Sequence, residues 1–366
     1  MKHLIRFFVF AVAIAGFIST SRGQDKQATF TFTKADRVAW VGSSSTNIGV
    51  WPKTMEFLLR TRQPELQLQF KKFSTGGGTF ATGLQNLDKW LDDFQPTVVI
   101  LNFGGNDANA GEKGLAKYKE NMEACVAKIE AKKARVAFTS FQGADVRKAG
   151  EEPAARRKIY ADAQLVFCKE KGWPIVDVFR PTNDLQLHGQ KDDDKFTILR
   201  DKIHLTDPAY IAWGYYLYDG LRIPAGVSEL AIDVKALRAV AEVGCKVEGL
   251  EIRKDFKSVR FTRIDRVLPI LPPGALPPRA HVPLEKHSAY RLRVVGLPDE
   301  NYSIGCEQLK LGTATAAELA AGVNLNTIVL KTGVTPPWTD LARQIWAGKD
   351  LDKIGTTRWT FHIEAK

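Results

Sequence analysis

The chain has 366 residues, 44% hydrophobic and 25% charged, proportions that exclude a disordered, collagen-like or coiled-coil protein and suit about two globular domains. Its formal charge is +11, but Lys and Arg are interleaved with Asp and Glu and form no long basic run, which excludes a nucleic-acid-binding face as the reading of choice. The four cysteines include no Cys-x-x-Cys pair, so neither a disulfide-dense scaffold nor a zinc-ribbon or thioredoxin-like spacing is present; the pairing of Cys125, Cys168, Cys245 and Cys306 is not chosen by spacing.

In chain order, Lys2 and Arg6 precede the apolar run 7–18, and the small residues Ser21 and Gly23 stand before a cleavage point after Gly23. This is the pattern of a secretory signal peptide, residues 1–23, and it predicts a secreted or periplasmic protein. Without the three basic residues of that segment the charge becomes 11 − 3 = +8. No run approaches the length of an integral membrane segment, and no cysteine at the cleavage point suggests a lipid anchor.

Short apolar runs then alternate with amphipathic ones. Residues 37–42, 66–73, 97–104, 134–141 and 174–179 read as buried strands, being brief, rich in Val, Ile or Phe and bounded by polar or Gly residues. Residues 51–61, 83–94, 115–132, 153–171 and 208–221 read as helices. Alternation of this kind predicts a parallel sheet covered on both faces by helices, with functional residues beyond the C-terminal ends of the strands. The polar stretch holding His188, Asp192, Asp193 and Asp194 reads as a solvated loop. After about Ile223 the pattern becomes strand-and-turn, with six prolines over 268–283, which predicts a smaller β-rich module over 225–366 beside a domain spanning 24–224. Within it, 316–322 and 338–347 read as helices and 358–363 as a strand.

Four segments fall where an α/β site is expected. Gly42-Ser43-Ser44-Ser45-Thr46 follows the first strand and precedes a helix; a serine there is raised by a tight turn beside helix N–H groups, although Ser and Thr are equally common helix caps. Thr75-Gly76-Gly77-Gly78-Thr79 allows backbone N–H groups to approach a ligand, or forms a plain turn; a phosphate-loop pattern is absent. Gly104-Gly105-Asn106-Asp107 offers an amide donor, or an Asx turn. Asp201-Lys202-Ile203-His204 precedes the last helix of the domain and supplies an imidazole able to accept a serine proton beside a carboxylate that can orient it.

The order of these four segments, across about residues 36–222, resembles the SGNH hydrolase superfamily, also called GDSL esterases. The resemblance implies a flavodoxin-like three-layer α/β/α fold, Ser44 as nucleophile, Gly77 and Asn106 as oxyanion donors beside the Ser44 N–H, and Asp201 with His204 as the orienting acid and the base. It implies a carboxylic ester hydrolase that needs no cofactor or metal. Residues 290–297 and 316–325 are similar, more loosely, to extensions on secreted SGNH proteins of planctomycete-type bacteria. One departure is visible: the family usually carries Gly-Asp-Ser, and Ser43 stands here in place of the Asp. Secretion and the accessory module favour an O-acetylated carbohydrate as substrate. The alternative expectation is a carbohydrate-binding protein whose SGNH core is no longer catalytic. Partner expectations are a small-molecule or polysaccharide ester, no nucleic acid and no membrane, with the oligomeric state left open.

Overall fold

A computed structural model describes residues 30–366; the expected signal peptide lies outside them. The first strand, β1 (Arg37–Gly42), leads into a short helix α1 (Ser44–Ile48) and the longer α2 (Val50–Arg62). There follow β2 (Gln69–Ser74), α3 (Phe80–Phe94), β3 (Val98–Asn102), α4 (Leu115–Ala131), β4 (Arg135–Thr139), α5 (Val146–Ala149), α6 (Glu151–Lys171), β5 (Ile175–Val176), α7 (Phe179–Asp192) and α8 (Asp207–Gly220). The five strands form one sheet in the order β2-β1-β3-β4-β5, every pair parallel. This is the expected flavodoxin-like α/β fold, with the strand order of that class.

Successive residues explain the three layers. Side chains alternate across a strand, and in β1 Val38 and Trp40 join one core while Ala39 and Val41 join another; in β3 Val98 and Ile100 divide from Val99 and Leu101 in the same way. The first core is closed by Trp51, Met55 and Leu58 of α2 with Tyr210, Trp213 and Leu217 of α8. The second is closed by Phe80 and Leu87 of α3, Met122 and Ile129 of α4, and Tyr160 and Phe167 of α6. Strands buried on both faces carry no polar alternation, which is why they read as continuous apolar runs.

The polar stretch around His188 is a correction. Up to Asp192 it is the helix α7 rather than a loop, with His188 exposed and its Nδ1 2.8 Å from the Asp184 carbonyl, while Asp192, Asp193 and Asp194 are solvated as expected. Leu185, Thr182 and Gln186 are buried beneath it, and Gly189 is required because a Cβ there would stand 2.1 Å from the Phe196 ring. Tertiary packing supplies what its polar composition does not advertise.

The remainder comprises β6 (Val227–Asp233), β7 (Arg238–Val243), β8 (Cys245–Ile252), β9 (Ser258–Asp265), α9 (Leu284–His287), β10 (Ala289–Val295), β11 (Asn301–Cys306), β12 (Leu309–Thr315), α10 (Ala316–Ala321), β13 (Val323–Asn324), α11 (Leu325–Thr332), α12 (Thr339–Trp346) and β14 (Thr357–Ala365). They build two sheets, ordered β13-β10-β6-β7 and β12-β11-β14-β9-β8. The sheets meet face to face where Tyr290 of β10 packs on Phe361 of β14 and under the Arg263 guanidinium of β9. Their core is continuous with the α2/α8 side of the first sheet. Arg62, only 2% exposed, donates from α2 to the carbonyls of His287 and Ile270 and to Ser288 Oγ. The proline-rich stretch is packed rather than free: Leu268 and Ile270 are buried, and the Leu268 N–H donates to Thr61 O. All four cysteines are buried free thiols. Among the described residues no helix is long and apolar enough to cross a membrane.

Candidate active site

The loops leaving the C-terminal ends of adjacent strands meet at one edge of the parallel sheet. Gly42 ends β1 where no side chain fits: a Cβ would lie 2.2 Å from Thr46 Oγ1 and 2.6 Å from Asn102 O. The chain therefore turns tightly, Ser43 caps α1, and Ser44 becomes its first residue. At that position the backbone N–H has no acceptor within the helix. Ser43 carries no side-chain cap bond; its N–H donates to Asn102 O and its carbonyl accepts from the Asn47 N–H. The backbone thus makes the turn without the family's usual carboxylate.

From the other end of the site, Asp201 and His204 arrive on the loop before α8. His204 Nε2 lies 2.8 Å from Ser44 Oγ, and its Nδ1 lies 2.7 Å from Asp201 Oδ2. The other Asp201 oxygen accepts from the N–H groups of Ile203 and His204, at 2.8 and 2.7 Å. Partial burial pushes the Asp201 carboxyl up, but the hydrogen bonds from His204 and Ile203 outweigh it and carry its pKa down to about 2. The carboxylate is therefore charged throughout the range in which imidazoles titrate, and it favours the tautomer with the proton on Nδ1. That tautomer turns the Nε2 lone pair toward Ser44.

The glycine loop and the Asn106 loop are joined to this arrangement. The Thr75 N–H donates to Gly42 O, and the Gly78 N–H closes a turn on Thr75 O. Gly77 takes φ +69, the positive value a glycine accepts at little cost at the third position of such a turn. Asn106 Nδ2 reaches Gly78 O at 2.9 Å, a contact between loops rather than a local Asx bond, and one of its two N–H groups remains for a ligand. Asp107 holds both loops: its carboxylate accepts from the Phe80 N–H, at the start of α3, and from the Gly104 N–H. Burial dominates over those bonds and raises its pKa to about 6.

Three supporting residues lie outside the four sequence segments. Gln142, 2% exposed, sits just beyond β4 and bonds both Ser45 Oγ and Ile203 O. Arg157 of α6 donates twice to Gln142 O and once to Gly105 O. Burial lowers its pKa to about 10, so it remains a cation at neutral pH. Asn102 bonds Thr46 Oγ1 and Ser140 O. For Asn102 and Gln142 the only sequence signal is position, at or after a strand end, and Arg157, inside α6, carries none.

Residues 41–211 match the GDSL-like Lipase/Acylhydrolase family. The match covers just under half of the chain and supports the SGNH hydrolase superfamily for that segment. The same match supports a carboxylic ester hydrolase. Among solved structures it is similar to a gut microbial diltiazem-metabolizing enzyme, at 20% identity and TM-score 0.71, over 87% of this chain and 78% of that one. Residues up to 226 cannot supply that share, so the common fold extends into the C-terminal sheets. A catalytic mutant of an acetylxylan esterase from Geobacillus stearothermophilus covers 52% of this chain and 96% of its own, at 12% identity and TM-score 0.44. A second acetyl xylan esterase covers 50% and 98%, at 17% and 0.44. No curated protein matches the chain.

Proposed function

We propose that this SGNH hydrolase is a secreted serine esterase that removes acyl groups, acetyl foremost, from an O-acetylated carbohydrate. The observation that carries the mechanism is the continuous hydrogen-bonded line Ser44–His204–Asp201. His204 takes the Ser44 proton as Oγ attacks the ester carbonyl, while Asp201 stabilises the resulting imidazolium. The Ser44 and Gly77 N–H groups and the Asn106 amide receive the negative charge that develops on the carbonyl oxygen. His204 returns its proton to the leaving alcohol. It then activates a water that attacks the acyl-Ser44 ester and frees the acid and the serine.

A carbohydrate ester fits the surroundings of Ser44. Asn47, Gly76, Gly77 and Lys202 are exposed there. Secretion is supported by the N-terminal pattern of residues 1–23. The test compares wild type with Ser44→Ala on p-nitrophenyl acetate and on acetylated polysaccharides, reading released acetate. Loss of the nucleophile is expected to cut turnover by roughly 10⁴ or more. Equal rates for the two proteins overturn the role of Ser44. Hydrolysis of the small ester with no acetate from any polysaccharide overturns the carbohydrate assignment. An inert wild type supports the binding-protein alternative.

A further inference from the structure

The Ser44–His204 bond joins two segments 160 residues apart, and neither residue alone fixes their separation. α1 is only five residues long, and the Asp201–His204 loop carries its own internal bonds, so each could move as a unit. Gln142 spans them. Its Oε1 accepts from Ser45 Oγ at 3.1 Å and its Nε2 donates to Ile203 O at 2.5 Å. Ser45 follows Ser44 directly and Ile203 directly precedes His204, so one amide grips the chain one residue away on each side of the reacting pair. Ser45 is held further by the Tyr210 hydroxyl of α8 at 3.3 Å.

The amide itself is anchored. Its residue is 2% exposed and that of Arg157 7%. Arg157 Nε and Nη2 donate to Gln142 O at 3.2 and 2.7 Å, while Nη1 donates to Gly105 O at 2.8 Å, beside Asn106. The guanidinium also lies over the Phe141 ring, 5.1 Å from its centre. A buried cation spending its donors on two carbonyls stiffens both loops, because charge-assisted bonds are stronger than neutral ones. The adjacent backbone is fixed as well, by the Asp145 N–H donating to Lys202 O at 3.1 Å.

We propose that Gln142 is a positioning residue for catalysis, setting the Ser44–His204 distance through Ser45 and Ile203, with Arg157 holding it in register with the Asn106 loop. This rests on the serine esterase reading above. Gln142 touches neither substrate nor the reacting atoms. Its removal should weaken proton transfer while leaving substrate binding and the Asp201–His204 pair intact.

The experiment uses the full chain with Gln142→Met, which loses both bonds, and Gln142→Glu, which keeps the size and the acceptor for Ser45 but presents a carboxylate to Ile203 O. Misplacement on the ångström scale lowers rates by up to about 10², so kcat should fall by roughly 10- to 100-fold in both variants. KM should stay within about twofold, and in Gln142→Met, which adds no charge, the pH midpoint of activity should match wild type because the His–carboxylate pair moves as a unit. Stoichiometric but slower labelling of Ser44 by a fluorophosphonate would show that every molecule is folded and only the geometry is impaired. A wild-type kcat in either labelled variant, a loss confined to KM, or a shifted midpoint in Gln142→Met overturns the proposal. If Gln142→Met does not fold, Gln142→Glu decides alone. Ser44→Ala run alongside separates the cases: an active Ser44→Ala removes the serine esterase reading itself, whereas an inactive one with unimpaired Gln142 variants removes only the role of Gln142.

Discussion

In the proposed mechanism His204 has two partners with different duties, Ser44 and Asp201, and its protonation state decides which duty it can perform. Only neutral imidazole can accept the Ser44 proton, so activity should rise with pH as His204 loses its proton. Asp201 does not contribute to that rise. Its folded pKa, about 2, lies below the ordinary 3.8; what it adds to stability is complete above the ordinary value and is lost only as the pH falls toward the folded one. Profiles of kcat/KM from about pH 5 to 9, the range in which His ordinarily titrates, test this for wild type, His204→Ala and Asp201→Asn. The rising limb should vanish with most activity in His204→Ala. Asp201→Asn should be the milder lesion, because a misoriented imidazole is still a base part of the time. A flat wild-type profile or a worse Asp201→Asn counts against these roles. Asn106 is the other residue with a separable duty. One N–H is spent on Gly78 O, so Asn106→Ala should lose the oxyanion donor and also loosen the glycine loop, lowering kcat by roughly 10²–10³ with KM little changed. An unchanged kcat would make Asn106 a loop tie only.

At the scale of elements, the site depends on how sharply β1 hands over to α1. The limiting atom is the missing Cβ of Gly42, whose place is already filled by Thr46 Oγ1 and Asn102 O. Gly42 does not need a positive φ; it needs space. Gly42→Ala should therefore push α1 away from β3, break the Thr46–Asn102 bond, and destabilise the chain by about 1–3 kcal/mol. Urea unfolding followed with esterase assay should show a lower midpoint and reduced kcat together; an unchanged midpoint would mean that the turn can open without strain. The same scale explains why a glycine-rich loop can be rigid: its neighbour Phe80 is pinned through Asp107 to Gly104, so α3 and the Asn106 loop cannot drift independently.

For the whole molecule, the decisive feature is that the first core does not stop at the parallel sheet. Phe57 of α2 meets Trp346 of α12, Tyr218 of α8 meets His287, and Tyr215 bonds Ser288. Buried Arg62 adds three further links. Exposing a fully buried large apolar side chain costs about 1.5–3 kcal/mol, and a few such losses match the roughly 5–15 kcal/mol of net stability a domain possesses. A chain ending at residue 224 should therefore not reach a cooperative fold, as judged by near-UV circular dichroism and thermal unfolding. A soluble fragment with a sharp transition and wild-type kcat would show that the C-terminal sheets are an accessory instead.

By itself, the sequence determined the parallel α/β domain, because strands buried on both faces must be apolar throughout and the helices between them must be amphipathic. It also placed four candidate segments after strands or before a helix, and the family resemblance singled out Ser44, Gly77, Asn106, Asp201 and His204 within them. What only the tertiary structure decided is everything that depends on contact across long separations. The Ser44–His204 bond, the reach of Asn106 to Gly78, and the Gln142 and Arg157 brackets unite residues whose spacing carries no period. The helix α7 is likewise hidden in a polar sequence, since burial of Leu185 and the fit of Phe196 on Gly189 come from packing partners and not from local propensity. The same holds for the C-terminal sheets, which composition presents as a separate module. Their attachment rests on a shared apolar core and on bonds made by Arg62, Tyr215 and Thr61, none of which can be recognised until the chain has folded.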